Sequence, residues 1–218
     1  MAEVLERICI DASLALSASG AGVSVITGSG VHGMSASSDA DAARIEELQF
    51  TFGEGPCIDA IAAGRPVLIA DLAELATTRW PIYVPAVRQL GVRAVFAFPL
   101  QMGAARLGVL DVFRVRPGPL SRAELGQALM FAERAVLVLL DGQERAGNNE
   151  HATAEWNEAF ERSAELFQAQ GMVMVQLGIS IGDALTRIRA YAYAANRPLR
   201  EVAADIVARR LRFDTDST

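Results

Sequence analysis

The sequence predicts an α+β domain, an antiparallel sheet with flanking helices, followed by a smaller all-α unit of three helices. Three observations carry this expectation. Short β-branched runs punctuated by glycine recur before residue 116, whereas no strand signal follows residue 146. Ser121 with Glu124 and Ser180 with Asp183 have the spacing of capping boxes, each opening a helix. The chain has 218 residues, 51% of them apolar, and a mean hydropathy of +0.24, which excludes disorder and allows one large domain or two small ones.

Taken in order, Val4, Leu5, Ile8, Ala12, Ala15 and Leu16 have helical spacing within residues 3–19, with Gly20 as the stop. Val23 to Thr27 and Val31 to Ser37 read as a hairpin. Ala40 to Leu48 reads as a short helix, and Phe52 to Cys57 as a turn whose Pro56 suits the first turn of a helix ending at Gly64. Pro66 to Ala70 reads as a buried strand and Val84 to Leu90 as a helix stopped by Gly91. Arg93 to Gln101 and Leu107 to Val115 form a second hairpin across Met102 to Arg106. From Ser121 the apolar set Leu125, Leu129, Ala132, Val136, Leu139 and Leu140 extends a helix to about Glu144. The first and last helices of this part are expected together on one face of the sheet.

Ala146 to His151 is polar and aperiodic, the best linker in the chain, dividing it into residues 1–146 and 147–218. Beyond it, Trp156, Phe160, Ser163, Phe167, Gln170, Met174 and Leu177 alternate in steps of four and three, a heptad seam on one long helix ended by Gly178. The helix opened by Ser180 carries Ala184, Leu185, Ile188, Tyr191, Ala192 and Ala195 on one face and closes at Asn196. With Pro198 in its first turn, a third helix buries Leu199, Val202, Ala203, Ile206 and Val207. So small a unit is marginal alone and should lean on its neighbour or on a second copy of the chain.

The charge is carried by arginine alone among the long basic residues, and the net value is −6. Such a balance repels nucleic acid as a whole, yet residues 180–212 hold seven arginines against three acids. Arg187 and Arg189 stand about 200° apart around a helix and cannot both address one flat target. Arg189, Asn196 and Arg197 sit near the junction of the last two helices, where Tyr191 and Tyr193 offer rings for unpaired bases. A solvated basic face is the plainer reading.

Catalytic chemistry finds no foothold. His32 and His151 are the two histidines, with no metal-ligand spacing around them, and there is no nucleophile elbow, phosphate loop or dinucleotide fingerprint. Neither a catalytic residue, a metal nor a cofactor is expected. Cys57 stands at a helix start, where a thiol can be acidified, but a small buried apolar role suits it better. Two cysteines, no signal-like leader and no apolar run longer than Ala135 to Leu140 near a helix predict a cytoplasmic protein without a membrane span.

From about Glu155 to Leu211 the chain resembles the ANTAR domain, through Ala169-Gln170-Gly171, Asp183-Ala184-Leu185, Ile188-Arg189, Ala192, Asn196, Leu199 and Val202-Ala203. The resemblance implies a three-helix antiterminator domain that binds paired RNA stem-loops with short loops, commonly as a homodimer. It implies RNA-loop roles for Gln170, Gly171, Arg189 and Asn196, with Arg187 and Arg197 on phosphates. Where the family usually has lysine this chain has Gln170, one positive charge fewer. Residues from about Leu5 to Leu140 resemble a GAF domain of the actinobacterial type that precedes ANTAR, through Gly53-Glu54-Gly55-Pro56-Cys57, Asp71-Leu72, Trp80-Pro81, Gly91-Val92-Arg93-Ala94 and Phe98-Pro99-Leu100. That implies a sensor for a small molecule or protein signal, with ligand-binding residues unassigned. The expected whole is a signal-responsive RNA-binding antitermination regulator, and the rival is a protein-interaction module whose arginines are merely solvated.

Overall fold

A computed structural model describes residues 1–26, 32–75, 79–148 and 165–214. Helix α1 (Ala2–Ala15) leads into β1 (Gly20–Ile26) and β2 (His32–Ser37), then α2 (Ala40–Phe52), α3 (Pro56–Ala63) and β3 (Val67–Ile69). After α4 (Tyr83–Gln89) come β4 (Ala94–Met102), β5 (Ala105–Arg114) and the long α5 (Arg122–Asn148). The C-terminal unit is α6 (residues 165–177), α7 (Ile181–Ala194) and α8 (Leu199–Val207).

The five strands form one antiparallel sheet in the order β2-β1-β5-β4-β3. Alternation sorts its side chains onto two faces. Phe96, Phe98 and Leu100 of β4, Leu110 and Val112 of β5, and Ala21, Val23 and Val25 of β1 meet α1 and α5 in one core. Val95, Ala97, Val109 and Phe113 point the other way, into a second core with α2, α3 and α4. Burial on both faces explains why β4 and β5 read as near-continuous apolar runs, interrupted in β5 by Asp111. Arg114 ties the α1 side together: its guanidinium donates to the Leu16 carbonyl at the end of α1 and pairs with Glu124 at the start of α5.

Both serines cap their helices, and the box is fully reciprocal at Ser121. Glu124 N–H donates to Ser121 Oγ at 3.2 Å while Ser121 N–H donates back to Glu124 Oε2 at 2.7 Å. Asp183 N–H donates to Ser180 Oγ at 3.1 Å, and the Ser180 hydroxyl donates to Asp183 Oδ2. The expected stops at Gly64, Gly91, Gly178 and Asn196 all take positive φ.

Several boundaries differ from expectation for tertiary reasons. α1 ends at Ala15 with the turn at Ser17, and Gly20 instead opens β1, where a Cβ would lie 3.0 Å from the Ala42 Cβ. α2 runs a full turn past Leu48, to Phe52, because neighbours cover it on two sides, and the expected turn begins only at Gly53. β3 is an edge strand with Leu68 44% exposed, not a buried one. The second hairpin is tighter than read, pairing Met102 with Ala105 across Gly103 and Ala104. α5 continues through Ala146 to Asn148, so the helix runs into the expected linker, and the remainder of that linker lies outside the described residues. Pro198 is the N-cap of α8 rather than part of its first turn.

The three C-terminal helices close around Leu166, Ala169, Val173, Ala184, Ile188, Ala192, Leu199, Val202 and Ile206. The heptad seam is only partly this core: Phe167, Met174 and Leu177 pack at its edge, and Trp156, Phe160 and Ser163 lie outside the described residues.

Candidate functional site

On α7 the core stripe Ala184, Ile188 and Ala192 faces inward, so Arg187 and Arg189 flank Ile188 on opposite sides. Arg187 is exposed, whereas Arg189 is half-buried against α2. Its Nε donates to the Phe50 carbonyl at 2.9 Å, in the last turn of α2 where helix carbonyls lack an i+4 amide. A cation at that end also meets the negative pole of the helix dipole. Burial pulls the Arg189 pKa down from the ordinary guanidinium range. Gly53, which ends α2 with φ 69°, lies directly under the guanidinium, and a Cβ there would sit 2.5 Å from Arg189 Nη1.

One turn on, Tyr193 meets Phe52 edge-on with ring centres 5.8 Å apart, and Arg200 of α8 reaches Glu47 of α2 at 3.5 Å. Tyr191 stacks edge-on with Phe213 instead, so the two tyrosines do not share one platform. Asn196 is exposed in the left-handed conformation between α7 and α8. Arg197 beside it pairs with Asp205 at 2.7 Å and Glu201 at 3.9 Å. Tyr193, Asn196 and Arg197 line one wall of a groove of about 570 Å³, opposite Arg44 and Glu47 of α2 and Gln89 of α4. Gln170 points the other way, 4% exposed within the three-helix packing, with no partner for its Oε1. Gly171 next to it has open space where a Cβ would be. Arg189, Asn196 and Arg197 thus lie along the α2-facing edge, Arg187 lies on the far flank, and Gln170 lies inside.

A second constellation went unread in the sequence. In the core under α2, Glu46 and Gln49 of α2, Ser24 of β1, Asp111 of β5, Cys57 of α3 and Tyr83 of α4 converge, all fully buried. Ser24 Oγ donates to Glu46 Oε2 at 2.8 Å, and Cys57 N–H donates to Gln49 Oε1 at 2.8 Å. Glu46 Oε1, Gln49 Nε2, the Tyr83 hydroxyl and both Asp111 oxygens make no hydrogen bond of ordinary length, although Asp111 interacts at longer reach with Glu46, Cys57 and Gln49. Burial raises the Glu46 pKa to about 7, and burial together with Glu46 pushes that of Asp111 well up. Burial and the two carboxyls push the Cys57 thiol up as well, against any acidification by its helix start. Cys57 is buried, as its reading as a small buried residue expects, but its neighbours are carboxyls and an amide rather than apolar groups alone. Cys9, in the other core, is pushed up to about 12.

The Gly53-Glu54-Gly55-Pro56-Cys57 segment joins the two constellations. Gly53 seats Arg189, and Glu54 Oε1 accepts from the N–H groups of Ile82 and Tyr83 at the start of α4. Gly55 leaves room for Gln49, whose Oε1 would lie 2.5 Å from a Cβ. Across the sheet Gly22, paired with Asp111, leaves room for Glu46, whose Cγ would lie 2.7 Å from a Cβ. The available signals were a single acid inside the apolar run Val109 to Phe113 and a glycine opposite it, but their pairing needs the sheet register.

The sequence model of the ANTAR domain matches residues 154–207, and that of the GAF domain matches residues 1–140. Among solved structures the chain is similar to the GAF domain of a phosphoenolpyruvate-protein phosphotransferase from Coxiella burnetii, at 16% identity and TM-score 0.55, covering 67% of this chain and 86% of that one. It is similar to a domain of a two-component sensor histidine kinase protein from Sinorhizobium meliloti 1021, at 17% identity and TM-score 0.52, covering 66% and 93%. A third is the GAF domain region of a membrane protein from Geobacter sulfurreducens PCA, at 14% identity and TM-score 0.52, covering 62% and 90%. These likenesses establish the fold of the N-terminal domain. No curated protein matches the chain. Among the described residues no helix is long and apolar enough to cross a membrane. By its larger matched part the chain belongs to the GAF-domain family, and an ANTAR domain follows at residues 154–207, the domain pairing of a regulator that joins a sensor-type module to an antitermination-type module.

Proposed function

We propose that this chain is a signal-responsive antitermination regulator that binds tandem stem-loops in nascent transcripts through the α7–α8 edge. The observation that carries the reading is the meeting of Arg189, Asn196 and Arg197 along one edge of the ANTAR domain in an otherwise acidic molecule. Arg189 and Asn196 contact the loop and Arg197 a phosphate at that edge, Arg187 meets a phosphate where the RNA wraps onto the far flank of α7, and Gly171 lets the RNA backbone come close. Gln170, being buried, supports that edge from beneath.

In the present arrangement the end of α2 holds Arg189, so RNA competes with the sensor domain for this guanidinium. The signal acts by loosening α2 from α7. Two loops need two faces, and a homodimer supplies them. Its formation through α5 is supported by Met130 and Leu137, 63% and 62% exposed and one heptad apart on that helix. Nascent transcripts place the action in the cytoplasm.

A gel-shift series with full-length protein tests the reading, using a two-stem-loop RNA with short loops beside duplex DNA of equal length. The RNA shifts at concentrations that leave the DNA free, and Arg189→Glu removes the shift. Equal affinity for both duplex and loops, or an undiminished shift with Arg189→Glu, overturns it.

A further inference from the structure

We propose that Glu46, Cys57 and Asp111 bind one divalent transition-metal ion of the zinc class inside the sensor domain. One donor atom from each of these buried residues lies within 4.8 Å of the other two. Zinc holds carboxylate oxygen at ~2.0–2.2 Å and thiolate sulfur at ~2.3 Å, so donors around one ion stand closer together than this limit and a small contraction brings them in. The donor types select the metal. A thiolate favours zinc, cobalt or ferrous iron over magnesium and calcium, which prefer all-oxygen shells.

The surroundings independently call for an electropositive ligand. Two carboxyls and a thiol are packed in a core where no arginine acts on either acid, and both Asp111 oxygens and Glu46 Oε1 make no hydrogen bond of ordinary length, only longer contacts within the cluster. Buried acceptors poorly satisfied are costly, and a cation held by both carboxyls offsets that cost. The fully buried Tyr83 hydroxyl is unpartnered as well, and Gln49 Nε2 reaches Asp111 only beyond ordinary hydrogen-bond length. Asp111, Glu46 and Cys57 all act electrostatically on the Tyr83 phenol, which places it beside the three donors. Both groups are hydrogen-bond donors of the kind that orient metal-bound carboxylates from an outer shell. Gly22 and Gly55 supply the space, since a side chain at either would strike Glu46 or Gln49. Binding releases the thiol proton, and any proton shared by the carboxyls, to solvent.

The site rests on different elements from the RNA edge but shares α2 with it: Glu46 and Gln49 face the cluster, and Glu47 and the Phe50 carbonyl face the ANTAR domain. The proposal does not depend on RNA binding.

Cobalt(II) titration of chelator-treated full-length protein tests it, because a thiolate bound to cobalt gives a charge-transfer band in the near ultraviolet. The band saturates at one equivalent in the wild-type chain and in Cys9→Ser, and zinc(II) abolishes it. Cys57→Ser lacks the band, and Asp111→Asn needs at least tenfold more cobalt. If Cys57→Ser does not fold, the wild-type titration still decides through its stoichiometry and the unchanged Cys9→Ser band. Absence of a thiolate band in the wild-type chain, or its loss in Cys9→Ser, overturns the proposal, whatever the RNA result.

Discussion

Arg189 of α7 donates its Nε to the Phe50 carbonyl of α2 across 139 positions of sequence, tying the edge expected to bind RNA to the sensor domain. The contact is local chemistry at both ends. α2 gains a cation at its C-terminal pole, and α7 gains a partner for a half-buried guanidinium. Gly53 makes it possible, having no Cβ to fill the space under the guanidinium.

Gly53→Ala therefore displaces Arg189 from α2. The substitution costs about 1 kcal/mol for a side chain at φ 69°. It is expected to raise affinity for tandem stem-loop RNA several-fold, measured by filter binding, because the competing contact is lost. Unchanged or weaker binding in a folded Gly53→Ala protein would show that α2 does not compete with RNA.

Salt dependence reports the phosphate contacts. Arg187→Gln and Arg197→Gln are each expected to lower the log–log slope of RNA affinity against salt by about 0.7, the value for one contact to unpaired strands. Slopes equal to wild type would remove these residues from the phosphate-contact set.

The α5 capping box gives a pH prediction. The Ser121 N–H and hydroxyl, with Arg114 beside them, hold the Glu124 pKa down at about 2, against an ordinary 4.5. A depressed carboxyl stabilises the fold fully above its unfolded pKa and loses that contribution as pH falls toward the folded one. Between about pH 5 and pH 2 the wild-type chain should lose more stability than Glu124→Gln, followed by urea unfolding. The difference is small, since Glu124 is partly solvated. Parallel curves for the two proteins would count against the box as a source of acid sensitivity.

Ile206 is fully buried among the three C-terminal helices. Ile206→Ala should cost about 2–5 kcal/mol, a large share of what so small a unit can hold. Hydrogen exchange is expected to show α6 to α8 losing protection while β4 and β5 keep theirs. Uniform loss across both domains would mean that they unfold as one cooperative unit.

What the sequence made legible was set by local chemistry. Ser121 with Glu124, Ser180 with Asp183, and the stops at Gly64, Gly91 and Asn196 needed only neighbours along the chain. The apolar runs of β4 and β5 followed from their burial between two layers. The end of α2 was missed because Gln49, Phe50 and Thr51 are buried by different partners, so no single apolar stripe marks that turn. Asp111 and Glu46 stand in different elements joined only by the sheet register and the docking of α2. The inward turn of Gln170 was equally hidden, since a polar residue on a seam reads as surface until the three helices are packed.

The most direct measurement is the dissociation constant of full-length protein for a two-stem-loop RNA, compared between wild type and Arg189→Glu at one fixed salt concentration. Tight, loop-dependent binding by the wild type that falls at least tenfold on charge reversal is the predicted result. Equal binding by the two folded proteins, or none by either, would contradict an RNA-binding edge built on Arg189.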